Sequence, residues 1–258
     1  MLTMSKLPQE NIFLDLSDYG RSPARFIAKS FKNTAVTPIH ITLIFVVSGL
    51  LGIWCILNEQ YWYAGFFLIL KSILDAADGE LARIKQTPSY TGRYLDSVSD
   101  IILNFLILWT VYHVTNGSLL YMFLAFFGMQ LQGTLYNYYY VILRNKYDGD
   151  TTSRVFEIDT PIALKGEKQS HVNILFSCYK FCYGIFDRLI YALDKNAAKS
   201  KKLPNWFMTL VSIFGLGFQL LLISILLAFN LKEFIIPFFI LLSIFILIFI
   251  GIRKLINH

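Results

Sequence analysis

Apolar residues in this chain fall into long runs separated by short polar breaks. The runs span roughly Pro38 to Leu57, Tyr61 to Asp78, Gly92 to Val114, Leu119 to Leu143, Trp206 to Phe229 and Phe234 to Ile252. Each is near the ~20 residues a helix needs to cross a bilayer. Pro38 suits a helix start, because its missing N–H would have no partner there anyway. The connections 58–60, 115–118 and 230–233 are short, so neighbouring runs should be antiparallel. The pattern predicts an all-α integral membrane protein with six transmembrane helices.

Two further segments mix apolar and charged positions. Residues 17–33 place Phe26, Ile27 and Phe31 among Arg21, Arg25, Lys29 and Lys32, which predicts a short amphipathic helix lying on the headgroups. A solvated tail is the alternative. Residues 1–15 read as a loose start. Residues 147–171 read as an irregular loop from their Gly, Pro, Asp and Thr content. Residues 171–195 then predict an amphipathic surface helix carrying Lys180, Asp187 and Arg188. A seventh span is the alternative, and it would conflict with the charge bias of the tail. The expected division is an N-terminal cytoplasmic segment, 1–37, and a six-span domain, 38–258, with a cytoplasmic insertion at 144–204.

Composition strengthens the membrane reading. Of the 258 residues, 55% are hydrophobic, and the mean hydropathy of +0.54 exceeds what a soluble domain of this size would show. The net charge of +6 is not spread evenly. Basic residues cluster in the N-terminal segment (Lys6, Arg21, Arg25, Lys29, Lys32), after the second run (Arg83, Lys85, Arg93), in 144–204 (including Arg144, Lys146, Arg188, Lys201, Lys202) and in the tail (Arg253, Lys254). The other connections hold only Lys232. The positive-inside rule therefore places both termini on the cytoplasmic side. The stripes and motifs of a nucleic-acid reader are absent, so no nucleic-acid partner is expected. Cys55, Cys178 and Cys182 form no disulfide framework. A metal site of Cys178, Cys182 and His171 would be sparser than zinc motifs are. Residues 1–36 lack an early apolar core, so no cleavable signal is expected.

One stretch departs from the apolar background: residues 75–100, DAADGELARIKQTPSYTGRYLDSVSD. Asp75 and Asp78 are three apart, and Asp96 and Asp100 four apart, so on helices each pair shares a face. A helix ending near Arg83 and another starting near Gly92 would turn two acidic faces toward each other. Carboxylates near a membrane are costly and mark function. Four converging carboxylates repel unless cations lie between them, and hard oxygen ligands suit Mg²⁺ or Mn²⁺.

Written as a pattern, the stretch is D-x-x-D-G-x-x-A-R, eight residues, then G-x-x-x-D-x-x-x-D. It resembles the signature of the CDP-alcohol phosphotransferase (phosphatidyltransferase) family of membrane enzymes, with all eight positions matched by Asp75, Asp78, Gly79, Ala82, Arg83, Gly92, Asp96 and Asp100. The resemblance implies transfer of a phospho-alcohol unit from a cytidine diphosphate donor to a hydroxyl, with release of CMP. It also implies two divalent ions, Mg²⁺ or Mn²⁺. Asp75 and Asp96 would bridge them, Asp78 would hold one, and Asp100 would touch the other and act as the catalytic base. Gly79 and Gly92 would let the nucleotide approach, Ala82 would leave room for cytosine, and Arg83 would supply a fixed charge; a snorkelling role is its alternative. Ser89 stands where related enzymes place a polar residue on the donor. A Pro-Asn-x-x-Thr element of the family is matched by Pro38 and Thr42, whereas Ile39 replaces its asparagine. His40 beside it reads as a packing residue. The likeness also implies a homodimer in the bilayer with a cytoplasmic site, in the manner of a bacterial inner-membrane enzyme.

The acceptor is less legible. Asn104 continues the Asp96–Asp100 face, Gln130, Gln132 and Asn137 put polar groups in the fourth run, and Arg144 and Lys146 end it. Binding a polar or phosphorylated acceptor and helix contact both fit them. Tyr138–Tyr140 reads as an interfacial aromatic belt. Three functions compete: transfer from CDP-diacylglycerol to a small polar alcohol; transfer from a soluble CDP-alcohol of the choline or ethanolamine type to diacylglycerol; and a cation transporter or channel. The last is disfavoured because the aspartates cluster at one end of the runs instead of lining a pore.

Overall fold

The computed structural model describes residues 12–146, 157, 159–200 and 203–257; residues 1–11 of the expected loose start, which include Lys6, residues 147–156 and 158 of the expected loop, and Lys201 and Lys202 lie outside these residues. Among the described residues ten α-helices follow one another: α1 (Arg21–Phe31), α2 (Pro38–Leu57), α3 (Tyr61–Lys85), α4 (Tyr90–Thr115), α5 (Leu119–Lys146), α6 (Gln169–Leu193), α7 (Asn205–Val211), α8 (Leu216–Ala228), α9 (Ile235–Leu242) and α10 (Ile244–Ile256). The described residues contain no strand.

Local chemistry sets the helix boundaries. Pro38 is the first residue of α2, and the Thr37 N–H donates to His40 Nδ1 at 2.9 Å, which closes a capping box. His40 is thus a capping residue. α3 ends where Gln86 turns left-handed (φ 54°) and the Thr87 N–H reaches back to the Ala82 carbonyl. Ser89 then caps α4 by accepting the Gly92 N–H at 2.8 Å. Four residues, 86–89, therefore reverse the chain between the two acidic helices.

Among the described residues four helices are long and apolar enough to cross a bilayer: α2, α4, α5 and the segment Lys232–Ile256, which contains α9 and α10. The stretch Asn205–Phe214 with α8 makes a fifth if its 53° bend lies within one span. The bend falls at Gly215, whose backbone is extended. α3 is long enough, but Lys71, Asp75 and Asp78 set it apart from the purely apolar helices. α6 is not among the span candidates, and Ile174 and Phe181 are exposed on it.

α2 packs against both α3 and α4, α1 and α8 cover α3, and α6 lies along α4 and α5. Ala24 and Ala28 of α1 are buried, while Phe26 is exposed beside Arg25 and Lys29. α2 turns Leu43, Ile44, Val47, Leu50 and Trp54 outward, as a lipid-facing surface requires. Small residues permit close crossings: a Cβ on Gly65 would lie 3.2 Å from the Ser224 carbonyl oxygen of α8. Polar contacts join helices as well. Gln132 Nε2 donates to the Phe239 carbonyl at 3.1 Å, and Gln219 Nε2 to the Met129 carbonyl at 3.1 Å. Gln132 therefore serves helix contact.

The tyrosine run corrects a sequence expectation. Tyr138, Tyr139 and Tyr140 are buried instead of forming an interfacial belt. The Tyr139 hydroxyl donates to the Asp194 carboxylate at 2.7 Å, and Tyr138 donates to the Asp194 carbonyl at 3.1 Å. Arg253 of α10 pairs with the same buried carboxylate. The tyrosines are drawn inward because a buried ion pair needs its remaining lone pairs satisfied.

Candidate metal centre

The site is built from the ends of α3 and α4 that flank the 86–89 turn. α3 carries Asp75, Asp78, Gly79, Ala82 and Arg83, and α4 carries Gly92, Asp96 and Asp100. Asp75, Asp78 and Asp96 each offer a carboxylate oxygen, and these oxygens all lie within 4.8 Å of one another. Among the described residues this is the one such group; His171, Cys178 and Cys182 form none. Asp78 is buried, and Thr42 of α2 donates to its Oδ2 at 2.7 Å. Asp96 Oδ1 is buried without a hydrogen-bond partner. An orphaned carboxylate oxygen beside two more carboxylates is a poor resting arrangement for protein alone. It fits a hard divalent cation, for which all three donors are of the right kind.

Asp100 stands apart from this trio and pairs with Lys71 of α3. Lys71 Nζ also lies 3.8 Å from Asp75 and 4.9 Å from the centre of the Phe45 ring. Lys71 is fully buried. No motif position points to it. The available signal is a lysine inside an apolar run, one turn before Asp75.

Three arginines gather at Glu80, two residues after Asp78. Glu80 accepts from Arg21 at 3.1 Å and forms an ion pair with Arg83 at 3.1 Å, and Arg25 comes within 3.7 Å. Arg83 Nε is buried without a partner. A Cβ on Gly79 would meet only the Arg83 guanidinium, at 3.7 Å, so the backbone at Gly79 is open to approach. At Gly92 the Cβ would fall 3.2 Å from Ser89 Oγ. Ile39 is the nearest side chain beyond it, at 3.7 Å, which places the Pro38–Thr42 element beside the start of α4.

Residues from the insertion close over α4. Glu167 accepts from the Thr91 N–H (2.7 Å), Ser89 Oγ (2.8 Å) and the Leu164 N–H (3.0 Å). Burial raises the Glu167 carboxyl, but these donors outweigh it and hold it below the usual range. Glu157 accepts from Arg93 (2.5 Å) and Tyr94 (2.7 Å), and Tyr183 of α6 donates to the Ser97 carbonyl (3.1 Å). Ser89, expected on the donor, is thus engaged by Gly92 and Glu167.

Residues 35–161 match the family model of CDP-alcohol phosphatidyltransferase. The chain carries a domain of this family. It covers α2 to α5 and all eight motif residues, and leaves α6 to α10 outside. The family transfers a phospho-alcohol unit from a CDP-alcohol in phospholipid synthesis and uses divalent metal; the match supports transferase activity, and together with the apolar helices it suggests an integral membrane protein. A comparison with curated proteins finds no match.

The expected acceptor residues do not share one environment. Asn104 is buried with Oδ1 unpartnered, and Asn137 lines a narrow cleft with Arg93, Thr134 and Tyr179. Arg144 lies over the Tyr140 ring, and Lys146 reaches the Ser200 carbonyl.

Proposed function

We propose that this chain transfers a phosphatidyl group from CDP-diacylglycerol to the hydroxyl of a small polar alcohol and releases CMP. The observation that carries the reading is the Asp75–Asp78–Asp96 trio with its orphaned Asp96 oxygen, set inside a domain of this family. Two divalent cations held by Asp75, Asp78, Asp96 and Asp100 would offset the charge of the donor diphosphate and of the leaving phosphate. Asp100 acts as general base and takes the acceptor's proton. The acceptor oxygen bonds to the phosphorus that carries the diacylglycerol unit as the bond from that phosphorus to CMP breaks. Arg83 holds a fixed positive charge near the donor phosphates. Pro38, Thr42, Gly79, Ala82, Ser89 and Gly92 complete the donor side, and Thr42 orients Asp78. Asn104, Asn137, Arg144 and Lys146 are candidates for the acceptor side.

In the same reading α2, α3, α4, α5, bent α7–α8 and α9–α10 make six spans. α3 qualifies because its charged residues pair within the bundle. α1 and α6 lie on the cytoplasmic surface, where the basic segments place the site. Residues 1–37 form the N-terminal segment and 38–258 the membrane domain with its 144–204 insertion. The protein acts as a homodimer in a bacterial inner membrane. A panel of labelled donors and alcohols in detergent tests the reading through the lipid product. Labelled product from CDP-diacylglycerol supports it, whereas product from CDP-choline or CDP-ethanolamine with diacylglycerol would reverse the roles of donor and acceptor.

A further inference from the structure

Lys71 takes no part in the family motif, yet it is the fully buried cation of the site. A buried ammonium in a membrane bundle persists only where partners compensate it. Its partners are Asp100, with which it pairs directly, and Asp75 at 3.8 Å. The other carboxylates behave differently. Asp75, Asp78 and Asp96 gather their oxygens within 4.8 Å of one another, and Asp100 is not in that group. The chain thus presents one preassembled trio and one carboxylate that already has a cation. A divalent ion seated between Asp75 and Asp100 would have to share both with Lys71, at a separation where like charges repel strongly.

The geometry points to Lys71 as a positioning residue that occupies, in the donor-free protein, the place of a second divalent cation. The free chain then takes one divalent ion at the trio. The second enters only with the donor, whose diphosphate supplies the negative charge that offsets Lys71 and lets Asp100 turn from it. This inference rests on the proposed function, since it presumes the same carboxylates and donor.

The test counts Mn²⁺ without turnover. The purified full chain in detergent is titrated with Mn²⁺ alone, and again with CDP-diacylglycerol and no acceptor, while free Mn²⁺ is followed by electron paramagnetic resonance. Wild type should bind one Mn²⁺ per chain alone and two with the donor. Lys71→Arg, which keeps the charge, should follow wild type. Lys71→Met should bind two without donor, or bind the second at least ten-fold more tightly than wild type does. Two ions in donor-free wild type, or an unchanged count in folded Lys71→Met, would overturn the role of Lys71. If Lys71→Met does not fold, the wild-type counts with and without donor decide. No Mn²⁺ uptake by wild type under either condition, or uptake unaffected by Asp96→Asn, would instead remove the metal site itself and with it the proposed function.

Discussion

At the scale of single residues, Asp75 and Asp100 keep different company, and they should fail differently. Asp75 belongs to the trio, whereas Asp100 is held by Lys71. Asp75→Asn should abolish transfer and weaken both Mn²⁺ and donor binding. Asp100→Asn keeps the shape and loses the basicity, so turnover should fall about 10²–10⁴-fold, more than donor affinity does. Donor titration beside CMP-release rates measures both, and near-normal turnover in Asp100→Asn would remove the base from this residue. Thr42 supplies the hydrogen bond that orients Asp78. Removing such support costs about 10–100-fold in metal affinity, so Thr42→Val should weaken Mn²⁺ binding by that factor and Thr42→Ser should retain it. An unchanged affinity in Thr42→Val would leave the threonine a packing residue. The aspartates are legible in sequence because fixed helical offsets place each pair on one face. Lys71 is not, because its partner Asp100 lies 29 positions away and only the packing of α3 near α4 joins them.

At the scale of elements, the insertion is tied to α4 by two carboxylates, Glu157 and Glu167. Glu167 holds the first turn of α4 by the Thr91 N–H and the Ser89 hydroxyl, so Glu167→Ala should loosen that turn by about 1 kcal/mol, the usual worth of a cap. The pH dependence follows from the lowered carboxyl. A group lowered in the folded state stabilises fully above its unfolded value, and loses that contribution as pH falls through the folded one. The strap should therefore hold at neutral pH and release below the ordinary glutamate range of about 4.3. Hydrogen exchange at 90–94 reads this. Glu167→Gln should exchange faster at neutral pH and show no such acid step, and exchange equal to wild type would show that the contact carries no stability. Helix positions are the most legible part of the chain. α2 has its expected bounds, since Pro38 and an unbroken apolar run define it. The apolar run of α3 stops at Asp78, but the helix continues to Lys85, close to the end near Arg83 that the acidic spacing predicts. The breaks at Gly215 and Ser243 are hidden, because apolar composition continues through both. The Glu167 contact spans 76 positions and has no local signature.

At the scale of the whole molecule, apolar and basic patterns predict a bundle oriented by its charges. Thr87, in the exposed turn between α3 and α4, and Lys165, exposed in the insertion, should both face the cytoplasm. Cysteines introduced at the two positions should resist a membrane-impermeant thiol reagent in sealed cells and react after permeabilisation. Labelling from outside would reverse the orientation. The tyrosine run shows where composition misleads at this scale. Tyrosine at the end of a span reads as an interfacial belt, but the Asp194–Arg253 pair that draws Tyr139 inward joins residues 59 positions apart.

The central claim is that the carboxylates of α3 and α4 carry a metal-dependent transfer from a CDP-activated donor. CMP release by the purified chain, supplied with CDP-diacylglycerol and a mixture of small polar alcohols, tests it most directly. Chelation should stop CMP release, added Mg²⁺ or Mn²⁺ should restore it, and Asp96→Asn should remain inactive with metal restored. Full activity in the chelated protein, or in Asp96→Asn, would contradict the account.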